Sequence, residues 1–166
     1  MTNKMGSRMA NTTQRATTEV IDFEFTDMVG FLIRVSQQVH YSLWNASDDV
    51  SGLTSPQFAV LHALAHQQPL DQTELGERAS LDRSTLANIV TRLSARGFVA
   101  RTRDVADARR NLVVLTPAGR RAHKRAVRGA YDINERLLEP VSERDRKALV
   151  RILHTLVADH REQTDA

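Results

Sequence analysis

The chain has 166 residues, of which 41% are apolar and 26% are charged, a length and balance typical of one soluble domain. It contains no cysteine, which excludes disulfides, thiolate-bound metals and redox-sensing thiols and favours a reducing, cytoplasmic environment. No apolar run approaches the roughly 20 residues that cross a bilayer. Residues 1–20 are polar and are expected to form a disordered tail before a single domain over residues 21–166.

Positive charge is spread unevenly along the chain, whose formal net charge is +3. Twelve of the 23 cationic residues but three of the 20 acidic ones lie within residues 79–128, so this window carries +9 and the remainder −6. A charged face on a single helix is usually just solvated, but this excess extends over several predicted elements. The distribution favours a polyanion as the partner.

Two helices are predicted after the polar tail. Apolar side chains in residues 23–46 recur at the three- and four-residue spacing of one helical face, which predicts a long amphipathic helix. After a loop, Ser55 is a suitable N-cap for a second helix that has Pro56 in its first position. This second segment is mostly apolar, so we expect it to be buried.

A short helix, a tight turn and a longer helix are predicted next. Asp71 can accept hydrogen bonds from free backbone amides and Glu74 follows three residues later, a pattern that resembles a capping box for a helix ending near Ala79. Asp82 is placed to cap the longer helix, which ends near Gly97. The apolar residues of this helix share one face, and its opposite face carries only short or cationic polar groups.

A β-hairpin and two long helices complete the chain. Residues 98–103 and 112–115 are short β-prone runs joined by a long charged loop. Thr116 and the proline after it start a helix that Pro140 interrupts, and Ser142 caps the last helix. The predicted fold is mainly α (an α+β winged helix), with four helices, a two-stranded wing and two further helices.

The short helix, the longer helix and the hairpin are predicted to form a winged helix-turn-helix, whose second helix fits the major groove of DNA. An ordinary helix pair with a solvated surface explains the two helices alone equally well. The hairpin favours DNA, because its charged loop can reach a phosphate or the minor groove while the helix occupies the major groove.

Polar side chains on the longer helix are the candidates for DNA contact. Ser84 and Thr85 lie near its N-terminus, where hydroxyl donors and the helix dipole favour phosphate or base edges, although Thr85 can also face inward. Asn88 is the candidate base reader, since an amide both donates to and accepts from an adenine edge. Arg83 and Arg92 can clamp phosphates or read guanine, and the sequence leaves both roles open.

Three segments of the chain resemble the MarR family of winged helix-turn-helix transcription regulators. LTSPQFAVLHAL is similar to the second helix of that family, LDRSTLANIVTRLSARGFVAR to its recognition helix and first wing strand, and DVADARRNLVVLTPAG to its wing and the start of its fifth helix. The resemblance extends from about Phe23 to His160. Its most specific part is the wing, where an acidic residue and an arginine two positions later precede the L-T-x-x-G of Leu115, Thr116 and Gly119.

The resemblance implies a homodimer, with residues 52–118 as the DNA-binding lobe and residues 21–48 and 117–160 as dimerisation helices. The apolar stripes of the terminal helices give an independent reason, because they exceed what one small winged helix needs to cover itself. Two recognition helices would then address half-sites about 10 bp apart in a pseudo-palindromic operator on double-stranded DNA.

In the wing, the resemblance implies that Asp107 orients Arg109 by a charge-assisted hydrogen bond so that the guanidinium enters the minor groove. Many members have arginines where this chain has Ala106 and Ala108, and Arg110 is expected to compensate. The alternative is that Asp107 and Arg109 only pair across a surface turn, which would contribute about 0–1 kcal/mol.

The resemblance also implies a repressor that releases DNA on binding a small molecule, often a phenolic or aromatic carboxylate. Arg34 interrupts an apolar segment of the first helix and needs an anion, while His40, Tyr41 and Trp44 follow in positions that can enclose a ring. A carboxylate within the protein, such as Asp27, is an equally good partner for Arg34.

No cofactor or metal site is predicted. His62 and His66 have the i, i+4 spacing of paired metal ligands, but no third ligand is evident, and two exposed histidines explain the pattern better. The chain lacks a nucleophile elbow and a phosphate-binding glycine loop, so a small hydrolase is a weaker interpretation. An architectural winged-helix protein, which binds DNA without a specific operator or an effector, is the main alternative.

Overall fold

The computed structural model describes residues 24–104 and 110–164, with side chains up to residue 158. Four helices precede a β-hairpin and two helices follow it, in the predicted order. The helices are α1 (Val29–Asn45), α2 (Ser55–His66), α3 (Gln72–Ala79), α4 (Arg83–Ala95), α5 (Pro117–Leu138) and α6 (Glu143–Thr164). The strands are β1 (Leu70–Asp71), β2 (Val99–Arg103) and β3 (Asn111–Leu115).

The first helix begins later than predicted. A short 3-10 turn, Phe25–Asp27, precedes α1, and Met28 between them is extended, with φ −68° and ψ 131°. This break folds the turn back, so that the ring of Phe25 packs edge-on against Phe31 at 5.1 Å between centroids. The helical spacing of the apolar residues continues across the break, which is why the sequence alone extended the helix to residue 23.

The N-cap predicted for α2 is wrong by one residue. Thr54, and not Ser55, caps the helix: its hydroxyl accepts from the backbone N–H of Gln57, whose side chain accepts in return from the backbone N–H of Thr54 at 3.2 Å. This reciprocal pair is a capping box, which requires a Glu or Gln three residues after the cap. Thr54 has such a residue at Gln57, whereas Ser55 is followed at that distance by Phe58.

The other predicted caps are confirmed. The Asp71 carboxylate accepts from the backbone N–H groups of Thr73 and Glu74, both at 2.9 Å, and starts α3. Asp82 accepts from the backbone N–H of Thr85 at 2.9 Å and starts α4. Thr116 and Ser142 cap α5 and α6 through their hydroxyls. Each cap satisfies an amide that has no partner within its helix.

Among the described residues the sheet has three strands, where the sequence predicted two. The hairpin of β2 and β3 pairs Val99 with Leu115, and β1 adds to the other edge of β3 by pairing Leu70 with Val113, all antiparallel. A strand of two residues shows no alternation of apolar and polar side chains, so sequence periodicity cannot detect β1. The added strand ties the wing to the start of α3.

Two clusters of buried side chains hold the fold together. The larger one lies within the winged helix and joins α2, α3, α4 and the sheet. Its central members have at most 1% of their surface exposed; they are Leu61, Leu64, Leu75, Leu86, Val90, Leu93 and Val113. The smaller one, Trp44 with Val50 and Ile133, packs α1 and α5 against the loop that leads into α2. In the described part of the chain, no helix has the length and apolar character needed to cross a membrane.

Candidate nucleic-acid interface

Helix α4 presents the polar face that the sequence predicted. Its apolar side, Leu86, Ile89, Val90 and Leu93, is buried in the winged-helix core. Five of its polar side chains are exposed, namely Arg83, Ser84, Asn88, Thr91 and Arg92. Thr85 is half-buried and lies between the two faces. A packed inner face fixes the orientation of the outer one, so α4 offers a preformed surface about 20 Å long.

The N-terminus of α4 is organised by Asp82. Hydrogen bonds from Thr85, and then from Ser84, hold the pKa of the Asp82 carboxyl far below its ordinary value. The Ser84 hydroxyl donates to Asp82 Oδ1 at 2.7 Å. A phosphate that approached this end of α4 would therefore compete with Asp82 for the Ser84 hydroxyl.

The wing extends from β2 and β3 beside α4. Ala100, Arg101, Thr102 and Arg103 of β2 are exposed, whereas Val99 is buried. Asp107 and Arg109, the predicted minor-groove contacts, lie outside the described residues, and their role stays a prediction.

Arg110 contacts carboxylates of the protein itself. Its guanidinium forms a salt bridge with Asp71 and lies 3.9 Å from carboxylate oxygens of both Glu74 and Asp104. The hydrogen bond to Asp71, and then the negative charges of the three carboxylates, raise the pKa of Arg110, and the same hydrogen bond lowers the pKa of Asp71. The arrangement anchors the base of the wing to the start of α3. A contact between Arg110 and DNA would have to compete with three carboxylates.

Other arginines of the cationic window also have partners within the protein. Arg96 donates to the backbone carbonyl of Gly52 at 3.0 Å and lies over the ring of Phe98. Arg101, which sequence reasoning did not select, approaches the Thr91 hydroxyl with its Nη2 at 3.4 Å. The charge of the window is therefore divided between side chains that hold the lobe together and side chains that face outward.

The predicted effector residues fall into two groups. The guanidinium of Arg34 lies over the ring of Phe31, 5.0 Å from its centroid, and no carboxylate of the described residues, Asp27 included, forms an ion pair with it. The centroid of the His40 ring lies 5.9 Å from that of Tyr41 and 5.7 Å from that of Trp44.

Trp44 is a core residue. Its indole N–H donates to the backbone carbonyl of Leu53 at 2.7 Å, and 4% of its surface is exposed. Its ring is therefore packed inside the protein, and its one polar atom is already used.

A row of rings continues from Trp44 and includes a histidine that the sequence did not indicate. Phe58 lies 5.5 Å from Trp44 and stacks on His123 of α5 at 5.6 Å. His123 Nε2 is 3.0 Å from His62 Nδ1, and the His66 ring is 4.5 Å from that of His62. Burial, and then the neighbouring histidines, lower the pKa values of His62 and His123.

Burial also lowers the pKa of His40, so these rings favour their neutral forms. Three histidines thus meet where the sequence suggested two. Even so, among the described residues no group of three or more His, Asp or Glu side chains is arranged to hold a metal ion.

Comparison with known proteins identifies the family. The sequence model of the MarR family matches residues 53–110, which include α3, α4 and β2. The transcriptional regulator HosA of Escherichia coli O157:H7 is 31% identical over 120 residues, which are 72% of this chain and 87% of that protein. The chain belongs to the MarR family.

Solved structures of similar proteins agree with this membership of the MarR family. The PcaV transcriptional regulator of Streptomyces coelicolor, solved with its natural ligand, is 41% identical, with a TM-score of 0.73 over 83% of this chain and 96% of that one. Bordetella bronchiseptica BpsR, whose DNA binding is regulated by 6-hydroxynicotinic acid, is 31% identical, with a TM-score of 0.78 over 82% and 97%.

Membership of the MarR family confirms the predicted winged helix and decides the class of function. MarR proteins are DNA-binding regulators of transcription and are not enzymes, so the hydrolase interpretation is wrong.

Proposed function

We propose that this protein is a homodimeric repressor that reads a pseudo-palindromic operator and is released by a small aromatic or phenolic carboxylate. The observation that carries the proposal is the exposed polar face of α4, held over a packed core beside a cationic wing. Such a helix fits the major groove while the wing follows the phosphate backbone into the adjacent minor groove.

Within this face, Asn88 is the base reader and the arginines flank it. Asn88 is one helical turn from Ser84 and from Arg92, so a helix lying in the groove presents its amide to base edges at the middle of the contact. Arg83 and Arg92 lie at the two ends, where the phosphates of both strands pass. Arg109, oriented by Asp107, enters the minor groove from the wing.

A second copy of the chain is proposed to cover the exposed apolar side chains of the terminal helices. Each of the following side chains has 39–61% of its surface exposed. On α1 they include Val29, Leu32, Ile33 and Val39, and on α6 they include Val150, Ile152, Leu153, Leu156 and Val157. Contiguous apolar surface of this kind marks an interface in soluble proteins. The exposure of these side chains supports the proposed division into a DNA-binding lobe (52–118) and dimerisation helices (21–48 and 117–160).

The proposed effector site lies on α1. The guanidinium of Arg34 has no carboxylate partner among the described residues. Two of its N–H groups can donate to the two oxygens of one ligand carboxylate. His40 and Tyr41 offer polar groups for a ring hydroxyl, and Trp44 supports the His40 ring from the core. The similarity to BpsR supports this choice, because its regulator, 6-hydroxynicotinic acid, is a hydroxylated aromatic carboxylic acid.

The substitution Asn88→Ala tests operator reading. We expect it to reduce discrimination at one base step by about 1–3 kcal/mol, because the bidentate contact to that base is lost. Affinity for random duplex should stay unchanged. The measurement is competition binding against single-base operator variants that are selected from a randomised duplex.

The matched control is Asn134→Ala, since Asn134 is an exposed asparagine on α5. Unchanged discrimination in Asn88→Ala would remove the assigned role of Asn88. A parent protein that binds operator and random duplex equally well would instead identify an architectural protein and contradict the proposed function.

The substitution Arg34→Ala tests the effector site. Hydroxylated benzoic and nicotinic acids are expected to raise the melting temperature of the parent by about 5–10 °C at 100 times the dissociation constant, because a ligand that binds only the folded state stabilises it by about 2.7 kcal/mol. Arg34→Ala should lose this shift. Arg128→Ala, which removes an exposed arginine of α5, should keep it. Equal shifts in Arg34→Ala and the parent would contradict the assignment.

A further inference from the structure

A groove of about 270 Å³ separates the recognition helix α4 from the first wing strand β2. Thr91 and Ser94 of α4 line one side, and Val99, Ala100 and Arg101 of β2 line the other. We propose that this groove receives a phosphate of the DNA backbone and that Arg101 binds it. The inference rests on the proposed binding of operator DNA and adds a contact site to it.

The position of the groove fits a backbone phosphate. When a recognition helix occupies the major groove and a wing occupies the neighbouring minor groove, the sugar-phosphate strand that separates the two grooves passes between helix and wing. In this protein that strand would meet the junction of α4 and β2. Arg92 and Arg103 are exposed on the same two elements, so the surroundings of the groove favour a polyanion.

The backbone and one hydrogen bond aim Arg101 at the groove. Side chains alternate along a strand, so Arg101 shares a face with Val99, which is buried and directs this face towards α4. The Thr91 hydroxyl donates to the backbone carbonyl of Ala87 at 2.9 Å. Its oxygen is thereby oriented to accept from Arg101 Nη2, 3.4 Å away.

The charge of Arg101 is available to a ligand. No described carboxylate forms an ion pair with Arg101, in contrast to Arg110, which is surrounded by three. A guanidinium has five N–H donors, and Thr91 engages one of them. The remaining donors match two oxygens of a phosphate in the bidentate geometry that arginine favours.

Ser94, which lines the groove beside Thr91, carries a hydroxyl without a partner in the described part of the chain. Its hydroxyl oxygen is buried and has no hydrogen-bond partner among the described residues. Buried polar atoms in native proteins nearly always have a partner. After a change of the Ser94 rotamer towards the groove, a phosphate oxygen bound by Arg101, directly or through water, would provide an acceptor for this hydroxyl.

The test compares Arg101→Gln with Arg128→Gln in salt titrations of binding to operator and random duplex. Arg128 is a suitable control because 90% of its side chain is exposed on α5. Each lost phosphate contact should reduce the slope of log affinity against log salt by about 0.9, or about 1.8 for a dimer. The affinity advantage of the parent over Arg101→Gln should therefore shrink roughly 12-fold between 50 and 200 mM salt, equally for both duplexes.

A second variant separates binding from positioning. Thr91→Val keeps the arginine but removes the hydroxyl that orients it, so we expect weaker binding with an unchanged salt slope. Circular dichroism of each variant controls for folding. If the parent shows steep salt dependence and Arg101→Gln keeps the same slope, the groove binds no phosphate while the proposed function stands. If the parent binds no duplex at 50 mM salt, the proposed function itself fails.

Discussion

Gly119→Ala is expected to lower the free energy of unfolding by more than about 3 kcal/mol or to prevent folding. A Cβ at this position would lie 1.9 Å from the carbonyl oxygen of Phe98 and 2.9 Å from its carbonyl carbon. That carbonyl is fixed by the backbone N–H of Thr116 at 3.1 Å, and the Gly119 N–H is bound to the Thr116 hydroxyl. Overpacking usually costs about 1–3 kcal/mol when side chains can adjust, but here the Cβ is fixed to the α5 backbone and meets a backbone carbonyl, so no side-chain rotation relieves the clash.

Urea denaturation followed by circular dichroism measures this effect. Gly30→Ala is the matched control, because Gly30 is also helical and, apart from its chain neighbours and its own helix backbone, no described atom lies within 4 Å of the added Cβ. Replacing a helical glycine by alanine gains about 1 kcal/mol from helix propensity, so the control should be neutral or stabilised. Similar stabilities for the two variants would show that α5 does not approach Phe98 as described.

Trp44→Ala is expected to cost about 3–5 kcal/mol of stability. Its ring fills the cluster that packs α1 and α5 against the loop before α2, and removing a buried aromatic ring leaves a cavity of this cost. Trp44→Phe should cost about 1–3 kcal/mol, because the Leu53 carbonyl loses the donor that now lies 2.7 Å away. Thermal and urea unfolding, followed by circular dichroism, measure both changes.

Tyr41→Ala is the control for Trp44, since Tyr41 lies three residues earlier on α1 and 43% of its surface is exposed. It should change stability by less than about 1 kcal/mol. If Trp44→Ala instead left stability intact and abolished only the response to aromatic acids, the indole would belong to the effector site and not to the core.

Features that depend on neighbours in the sequence were predictable. The caps Asp71, Asp82 and Thr116 bond to amides two or three residues away, and the buried face of α4 follows from helical spacing. The errors in this class are small and have local causes, such as the extended residue that delays α1 and the Gln57 side chain that selects Thr54 as the cap.

Roles that depend on distant neighbours were not predictable. Arg110 and Asp71 are 39 residues apart in the chain, Arg96 and Gly52 are 44 apart, and His62 and His123 are 61 apart. The sequence showed a cationic window but not which arginines face carboxylates or carbonyls within the protein. It also showed a pair of histidines on α2 without the third on α5.

The amino-acid sequence by itself determined the order of elements, the polar face of the recognition helix and the resemblance to the MarR family, because capping and periodicity act over a few residues. Only the tertiary structure decided that Trp44 belongs to the core, that Arg110 anchors the wing and that Arg101 faces a groove beside α4. Hydrogen bonds and ion pairs act over a few ångströms, so the partner of a charged side chain is known only when the folded chain brings distant segments together.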